Sequence, residues 1–225
     1  MLEELLPDGV AVAESSSDPV GVELHPDEER LAVDALGRRS REFVTGRQCA
    51  HRALRRLGVP PTPILSGEGG APLWPSGVVG SITHCPGYRA AVVARTDDVI
   101  TIGIDAEPCE ALPEGVLNLV SLPPEREQLA GLARRSEPVP WDKLLFSAKE
   151  SVYKAWFPLT GQWLGFKDAH LTIDADSGAF AARLLVPAPT VGGRALTGFT
   201  GRWLVRDGLL LTAIAMSART TTDDA

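Results

Sequence analysis

Residues 141 to 156 read W-D-K-L-L-F-S-A-K-E-S-V-Y-K-A-W. Trp141, Leu144, Leu145, Ala148, Val152 and Ala155 recur at helical spacing, so one stripe of this segment must face a core. Prolines at 138 and 140 fence its start, and Pro158 predicts its end. At about 100° per residue, Glu150 falls opposite the stripe, with Lys154 one turn further on. A carboxylate and an ammonium therefore share one exposed line. Lys149 lies about 80° from the centre of the stripe, where its stem packs and its head reaches solvent or phosphate. Taken alone, Glu150 and Lys154 are a solvated i, i+4 pair contributing about 0.3 kcal/mol.

The stretch V-I-T-I-G-I-D-A-E at residues 99 to 107 gives that pair a context. Strand side chains alternate, which puts Ile100, Ile102 and Ile104 on one face and Gly103, Asp105 and Glu107 on the other. The two acids point the same way with Cα atoms about 6.5 Å apart, a spacing that lets them converge on one hard cation. The same pattern also describes an edge strand whose acidic face meets solvent. A turn at Asp97 and Asp98 predicts a hairpin with the apolar run at 88 to 95.

The 225 residues carry a formal net charge of −7, which argues against general nucleic-acid binding, where affinity comes from basic side chains on phosphates. Local charge differs. Arg38, Arg39, Arg41, Arg47, Arg52, Arg55 and Arg56 stand against one acid, Glu42, in a predicted helix over residues 39 to 57 whose inner stripe is Phe43, Ala50, Leu54 and Leu57. This segment could hold a phosphate-rich ligand, or be a solvated helix. Cys49, Cys85 and Cys109 lack C-x-x-C spacing and suggest neither disulfides nor zinc. No apolar run is long enough to cross a bilayer, and the chain's acidic start is unlike a signal peptide, so a cytoplasmic protein without membrane association is expected.

The remaining chain alternates helices and strands. A strand at 9 to 14 precedes a short helix from Pro26, with Leu31, Val33 and Leu36 as apolar points and Gly37 as its stop. Ser66 to Pro72 is too rich in Gly and Pro for regular structure, and its bare backbone could approach a ligand or simply turn. A strand over 78 to 83 delivers Thr83 and His84 to its end. Pro123-Pro124-Glu125 starts a further helix. Strands follow at 169 to 174 and 180 to 186, then a hairpin of 199 to 206 with 209 to 216 across Asp207-Gly208. The last residues, 220 to 225, should fray. The expected fold class is α+β, as two similar lobes packed pseudo-symmetrically, with boundaries at 1–108 and 109–225.

Asp105, Glu107 and Glu150, accompanied by Lys154, His84 and the arginines, form an all-oxygen donor set suited to Mg2+, which fills its octahedron with water and substrate phosphates. A phosphoanhydride or phosphodiester substrate follows.

G-I-D-A-E at 103 to 107 and W-x-x-x-x-F-S-A-K-E-S-x-x-K ending at Lys154 resemble the two signatures of 4'-phosphopantetheinyl transferases. G-S-I-T-H-C at 80 to 85, W-F-P-L-T at 156 to 160 and W-L-G-F-K-D-A-H at 163 to 170 further resemble the Sfp/EntD-type branch, especially its actinobacterial members. The resemblance covers residues 38 to 174. It implies transfer of 4'-phosphopantetheine from coenzyme A to a serine of an apo acyl or peptidyl carrier protein, with adenosine 3',5'-bisphosphate released, by a monomeric enzyme using Mg2+, or Mn2+ in its place. Asp105, Glu107 and Glu150, with the Ala106 backbone, would hold the metal. Glu150 would take the serine proton and Lys154 would stabilise the pyrophosphate. Arg39, Arg47, Thr83 and His84 would hold coenzyme A, with Ser66, Gly67, Glu68 and Gly69 beside it. Arg126, Arg134 and Arg135 are candidate contacts for an acidic carrier. Relatives often carry a basic residue in the loop where this sequence has Ser66, Gly69 and Ala71. A magnesium-dependent nucleotide hydrolase, or a coenzyme A-binding module without turnover, would draw on the same residues.

Overall fold

Small residues decide how the first part of the chain packs. The computed structural model describes residues 1–18, 24–34 and 38–218. The chain divides into two units, one of Pro7–Ile102 with the segment that begins at Met216, the other of Gly103–Ala215 with Met1–Leu6. In the first unit, β1 (Ala11–Ser15) is followed by α1 (Pro26–Asp34), α2 (Arg38–Arg56), β2 (Leu65–Ser66), β3 (Pro72–Leu73), β4 (Val78–Cys85) and β5 (Tyr88–Arg95). An antiparallel sheet runs β1-β5-β4. β5 is its centre, buried on both faces from Tyr88 to Ala94, so its Ala and Val residues form a continuous apolar run rather than an alternating one. Cys49, Ala50, Ala53 and Leu54 of α2 pack onto Ala13, Ala91 and Val93 of the sheet.

The pairing of β5 corrects one expectation. Its hairpin partner is β4, joined where Cys85 faces Tyr88 across Pro86 and Gly87, the latter at φ 78°. The run at 99 to 108 belongs to another sheet. The loop at 66 to 72 is also more ordered than its composition suggests: Leu65 pairs with Leu73 and Ser66 with Pro72, closing a small hairpin whose turn uses the positive φ of Gly69 and Gly70. Gly37, Leu36 and residues 220 to 225 lie outside the described residues, as do the side chains of Leu31 and Val33.

β6 (Val99–Pro108) runs across the division between the units. Then come α3 (Val116–Val120), α4 (Pro123–Leu132), α5 (Trp141–Thr160), β7 (Ala169–Asp174), β8 (Ala179–Leu184), the short β9 (Thr190–Val191) and β10 (Arg194–Ala195), β11 (Gly198–Arg206) and β12 (Leu209–Ser217). Five of these strands form a sheet in the order β6-β12-β11-β8-β7. β11 and β12 turn at Asp207 and Gly208, both at positive φ (51° and 75°), as a two-residue hairpin requires. The expected α+β class thus appears as a mixed fold of two antiparallel-rich sheets and five α-helices among the described residues.

α5 lies on the five-stranded sheet. Its stripe of Leu144, Leu145, Ala148, Val152 and Ala155 is at most 1% exposed, and each buried leucine contributes about 2 kcal/mol. Trp141 meets Trp203 of β11 edge-on, with centroids 5.6 Å apart. The helix runs past Pro158 to Thr160, which corrects its expected end. Proline removes only one donor, and the turn is closed instead by Gly161 at φ 62°, whose N–H bonds Phe157 O at 2.8 Å.

Candidate active site

Gly103 explains how β6 and α5 come together. A Cβ there would stand 2.0 Å from the Ser151 carbonyl oxygen, so only glycine lets the strand touch the helix backbone. The face of β6 carrying Gly103, Asp105 and Glu107 is therefore covered by α5 rather than turned to solvent. The polar line of α5 points into this contact. Lys154 Nζ donates to Asp105 Oδ1 at 2.7 Å, Ser147 Oγ donates to Asp105 Oδ2 at 2.8 Å, and Lys143 Nζ donates to Glu107 Oε2 at 3.3 Å.

Asp105 is 5% exposed, whereas Glu150 and Glu107 are half-buried. Burial first, then the neighbouring Asp105 charge, pushes the Glu107 carboxyl above its ordinary value, against the pull of Lys143 and Lys154. The Glu150 carboxyl is raised in the same way, by burial, Asp105 and Glu107, against Lys154. Three acids on β6 and α5 thus feel one another, with two ammonium groups set among them. Among the described residues, no three His, Cys, Asp or Glu side chains already form a set able to hold a metal. Ala106, between the two acids, is 1% exposed.

The sequence leaves the role of Lys149 open, and the structure gives it partners within the fold. Its ammonium is buried and uses all three hydrogens inside the protein, on Glu125 Oε2 (2.9 Å), Phe166 O (2.6 Å) and Ala169 O (3.0 Å). Glu125 also accepts from Leu122 N–H at the start of α4 and from Leu171 N–H of β7. Burial pushes the Lys149 ammonium below its usual range although Glu125 opposes the shift. The residue joins α4, α5 and β7, with its head held by these three acceptors.

A cleft of about 100 Å³ opens beside Glu150. Tyr153, Trp163, Leu164 and Phe166 line it, with the Tyr153 and Trp163 rings 5.1 Å apart. Trp163 remains 76% exposed at its edge. Sequence patterning had no access to this cleft, because its walls come from the helix and from the irregular segment after it.

The first unit brings Arg47 and Ser66 together, the guanidinium donating to Ser66 Oγ at 3.1 Å. Arg47 is 5% exposed, its Cζ lies 4.6 Å from the Phe43 ring centroid, and its Nε is buried without a hydrogen-bond partner. Gly67 accepts from Gly70 N–H and donates to Ala71 O, while Glu68 and Gly69 occupy the exposed turn. Arg39 lies in the first turn of α2, its side chain outside the described residues. Other members of the arginine cluster serve the fold: Arg52 and Arg56 donate to the Glu14 and Val12 carbonyls of β1. Thr83 is 1% exposed, whereas the His84 side chain is 53% exposed and its Nδ1 lies 3.6 Å from Glu42 Oε2. As strand neighbours, the two point to opposite faces. Arg126 donates to Ser121, and Arg135 pairs with Glu137 and Asp176. All three cysteines are thiols rather than members of a disulfide.

Three acids and a lysine thus stand on one strand and one helix, beside a cleft. The sequence matches the 4'-phosphopantetheinyl transferase N-terminal domain family over residues 27–94 and the 4'-phosphopantetheinyl transferase superfamily over residues 101–195. It is 56% identical over 222 residues to 4'-phosphopantetheinyl transferase Svp of Streptomyces mobaraensis, covering 97% of this chain and 90% of that protein. It is 51% identical over 213 residues to 4'-phosphopantetheinyl transferase PptT of Mycobacterium tuberculosis, covering 92% of each. Enterobactin synthase component D of Salmonella typhimurium is 33% identical over 199 residues, 88% of this chain and 80% of that protein. The chain belongs to the 4'-phosphopantetheinyl transferase superfamily.

Proposed function

We infer that this chain does what its family does: it transfers the 4'-phosphopantetheine group of coenzyme A to a serine hydroxyl of an apo acyl or peptidyl carrier protein. The observation that carries the reading is the convergence of Asp105, Glu107, Glu150 and Lys154 at the contact of β6 with α5, supported by the family match. The two units would be the family's two lobes, working in the cytoplasm as a monomer.

The donor set fits Mg2+ better than an all-protein metal cage, because this ion takes one or two carboxylates and completes its shell with water and phosphate oxygens. Asp105, Glu107 and Glu150, with the Ala106 backbone, would hold it. When bound, the ion supplies positive charge against the pyrophosphate.

Glu150 takes the proton of the carrier serine, directly or through a water, and burial beside Asp105 raises its affinity for that proton. The serine Oγ bonds to the phosphorus on the pantetheine side as the P–O bond to the adenosine bisphosphate breaks. Lys154 leaves Asp105 to meet the charge gathering on the leaving phosphate, so positioning and electrostatics supply most of the rate. The arm attached to the reacting phosphorus must start near Glu150, and the cleft walled by Tyr153, Trp163 and Phe166 starts there too. Arg39 and Arg47, with Ser66, Gly67, Glu68 and Gly69, would serve the nucleotide end together with Thr83 and His84. The unpartnered Arg47 Nε suits an anionic ligand. Arg126, Arg134 and Arg135 remain the candidate carrier contacts.

Release of adenosine 3',5'-bisphosphate from coenzyme A, followed with and without an apo carrier, tests this reading. The bisphosphate should appear only when the carrier is present. Equal release without it would make the protein a hydrolase, and binding without release a coenzyme A-binding module.

A further inference from the structure

Behind Asp105 lies a chain of hydroxyl groups that the proposed chemistry does not use. Ser147 and Ser151, one turn apart on α5, and Thr212 on β12 are each 0% exposed. Ser151 Oγ lies 2.7 Å from Thr212 Oγ1, Thr212 Oγ1 lies 3.0 Å from both Ser147 Oγ and Ser147 O, and Ser147 Oγ lies 2.8 Å from Asp105 Oδ2. Each hydroxyl has one hydrogen to give, while an ionised carboxylate can only accept. Ser147 therefore gives its hydrogen to Asp105; Thr212 shares its single hydrogen between Ser147 Oγ and the Ser147 carbonyl, and Ser151 gives its own to Thr212 Oγ1 or to the Thr212 carbonyl 3.3 Å away. Such a chain polarises along its length and ends on the acid.

Asp105 is thereby held from behind at Oδ2, while Oδ1 faces Lys154 at 2.7 Å. One carboxylate oxygen is fixed by the fold and the other is presented to a positive charge. We propose that Ser147, backed by Thr212 and Ser151, is a positioning residue that fixes the Asp105 carboxylate so that Oδ1 is delivered to a divalent cation. The proposal rests on the metal reading given above. It adds a hydrogen-bonded support behind a ligand, a kind of contact whose loss lowers metal affinity about 10- to 100-fold. The location favours rigidity: Thr212 belongs to the strand beside β6, and Gly103 seats α5 on β6 one turn away.

The test is Mn2+ affinity, read by electron paramagnetic resonance on the full chain with coenzyme A present and no carrier, so that turnover plays no part. Ser147→Ala should weaken Mn2+ binding about 10- to 100-fold, with melting in chelator close to wild type. In turnover assays its half-saturating Mg2+ should rise by a similar factor, with kcat at saturating Mg2+ changed less. Ser147→Thr, which keeps the hydroxyl, should restore affinity. If Ser147→Ala fails to fold, Thr212→Val removes the supporting hydroxyl at constant shape and should weaken binding in the same direction. Wild-type affinity in a folded Ser147→Ala or Thr212→Val protein overturns the proposal alone. Absence of Mn2+ binding by the wild type with coenzyme A overturns the metal reading beneath it.

Discussion

Lys154 and Asp105 are joined by a 2.7 Å hydrogen bond between Nζ and Oδ1, across the contact of α5 with β6. The pair that a helical wheel suggests, Glu150 with Lys154, is therefore not the arrangement the fold uses. Lys154 serves an acid 49 residues earlier in the chain, and Glu150 stands beside both in a setting that favours its neutral form.

That setting sets the expectation for Glu150→Gln. A carboxyl whose affinity for protons is raised costs the folded state something when ionised, so the neutral amide should leave the melting temperature equal or slightly higher at pH 7. Transfer should fall about 10²- to 10⁴-fold, the range associated with loss of a general base. Thermal melts and carrier-modification rates on the same preparation check both. Full activity in the variant would remove Glu150 from the proton transfer.

Metal dependence should vary with pH. Glu107 and Glu150 hold their protons to a higher pH than the ordinary 4.5, and a cation must displace those protons. The half-saturating Mg2+ concentration should rise as pH is lowered toward the range in which these carboxyls take up protons. Steady-state titrations at several pH values measure it. A requirement that fell with pH would contradict the assignment of these acids.

The Lys149–Glu125 contact should act through the fold. Lys149→Met leaves Glu125 buried without its cation, and losses of this kind cost about 3–5 kcal/mol. Replacing both partners, with Glu125→Leu added, removes the uncompensated charge but should recover only part of that loss, because the Leu122 and Leu171 N–H groups lose their acceptor. Urea unfolding of the single and double variants tests this. If Lys149→Met kept wild-type stability and lost only coenzyme A affinity, Lys149 would belong with the phosphate ligands instead.

Much of this site was legible in sequence, and what was missed has physical reasons. Period two placed Asp105 with Glu107, and the stripe of α5 set Glu150 and Lys154 apart from its buried face. Neither pattern says which element covers the acidic face of β6; that depends on Gly103, whose missing Cβ lets α5 sit there. The hairpin expected between 88 to 95 and 99 to 107 failed because a turn signal at Asp97 and Asp98 cannot reveal that β1 and β4 already occupy the two edges of β5. Lys143, Ser147, Thr212 and Glu125 were missed because each looks like ordinary surface or helix-start chemistry until its distant partner is known. Lys149 stayed undecided for the same reason: its angle on the helix could not reveal that Glu125 and two carbonyls wait for its head.

A buried acid in the first unit should shape the acid limb of stability. Glu28 is 0% exposed and accepts from His51, Ile64 N–H and His25 N–H. Although burial opposes its charge, these partners hold its carboxyl below the ordinary 4.5. A lowered folded value stabilises above the unfolded pKa, and that stability is lost as pH falls through the folded one. Glu28→Gln should cost about 2 kcal/mol at pH 7 and flatten the loss of stability between about pH 5 and 3. Denaturant melts across that range decide it, and an unchanged acid limb would set Glu28 aside.

The central claim is met most directly by the mass of a carrier protein. An apo carrier incubated with this protein, coenzyme A and Mg2+ should gain one phosphopantetheine group on its serine, and the gain should vanish with chelator or when that serine is replaced by alanine. Unmodified mass in several unrelated apo carriers, under conditions where the protein binds coenzyme A, would contradict it.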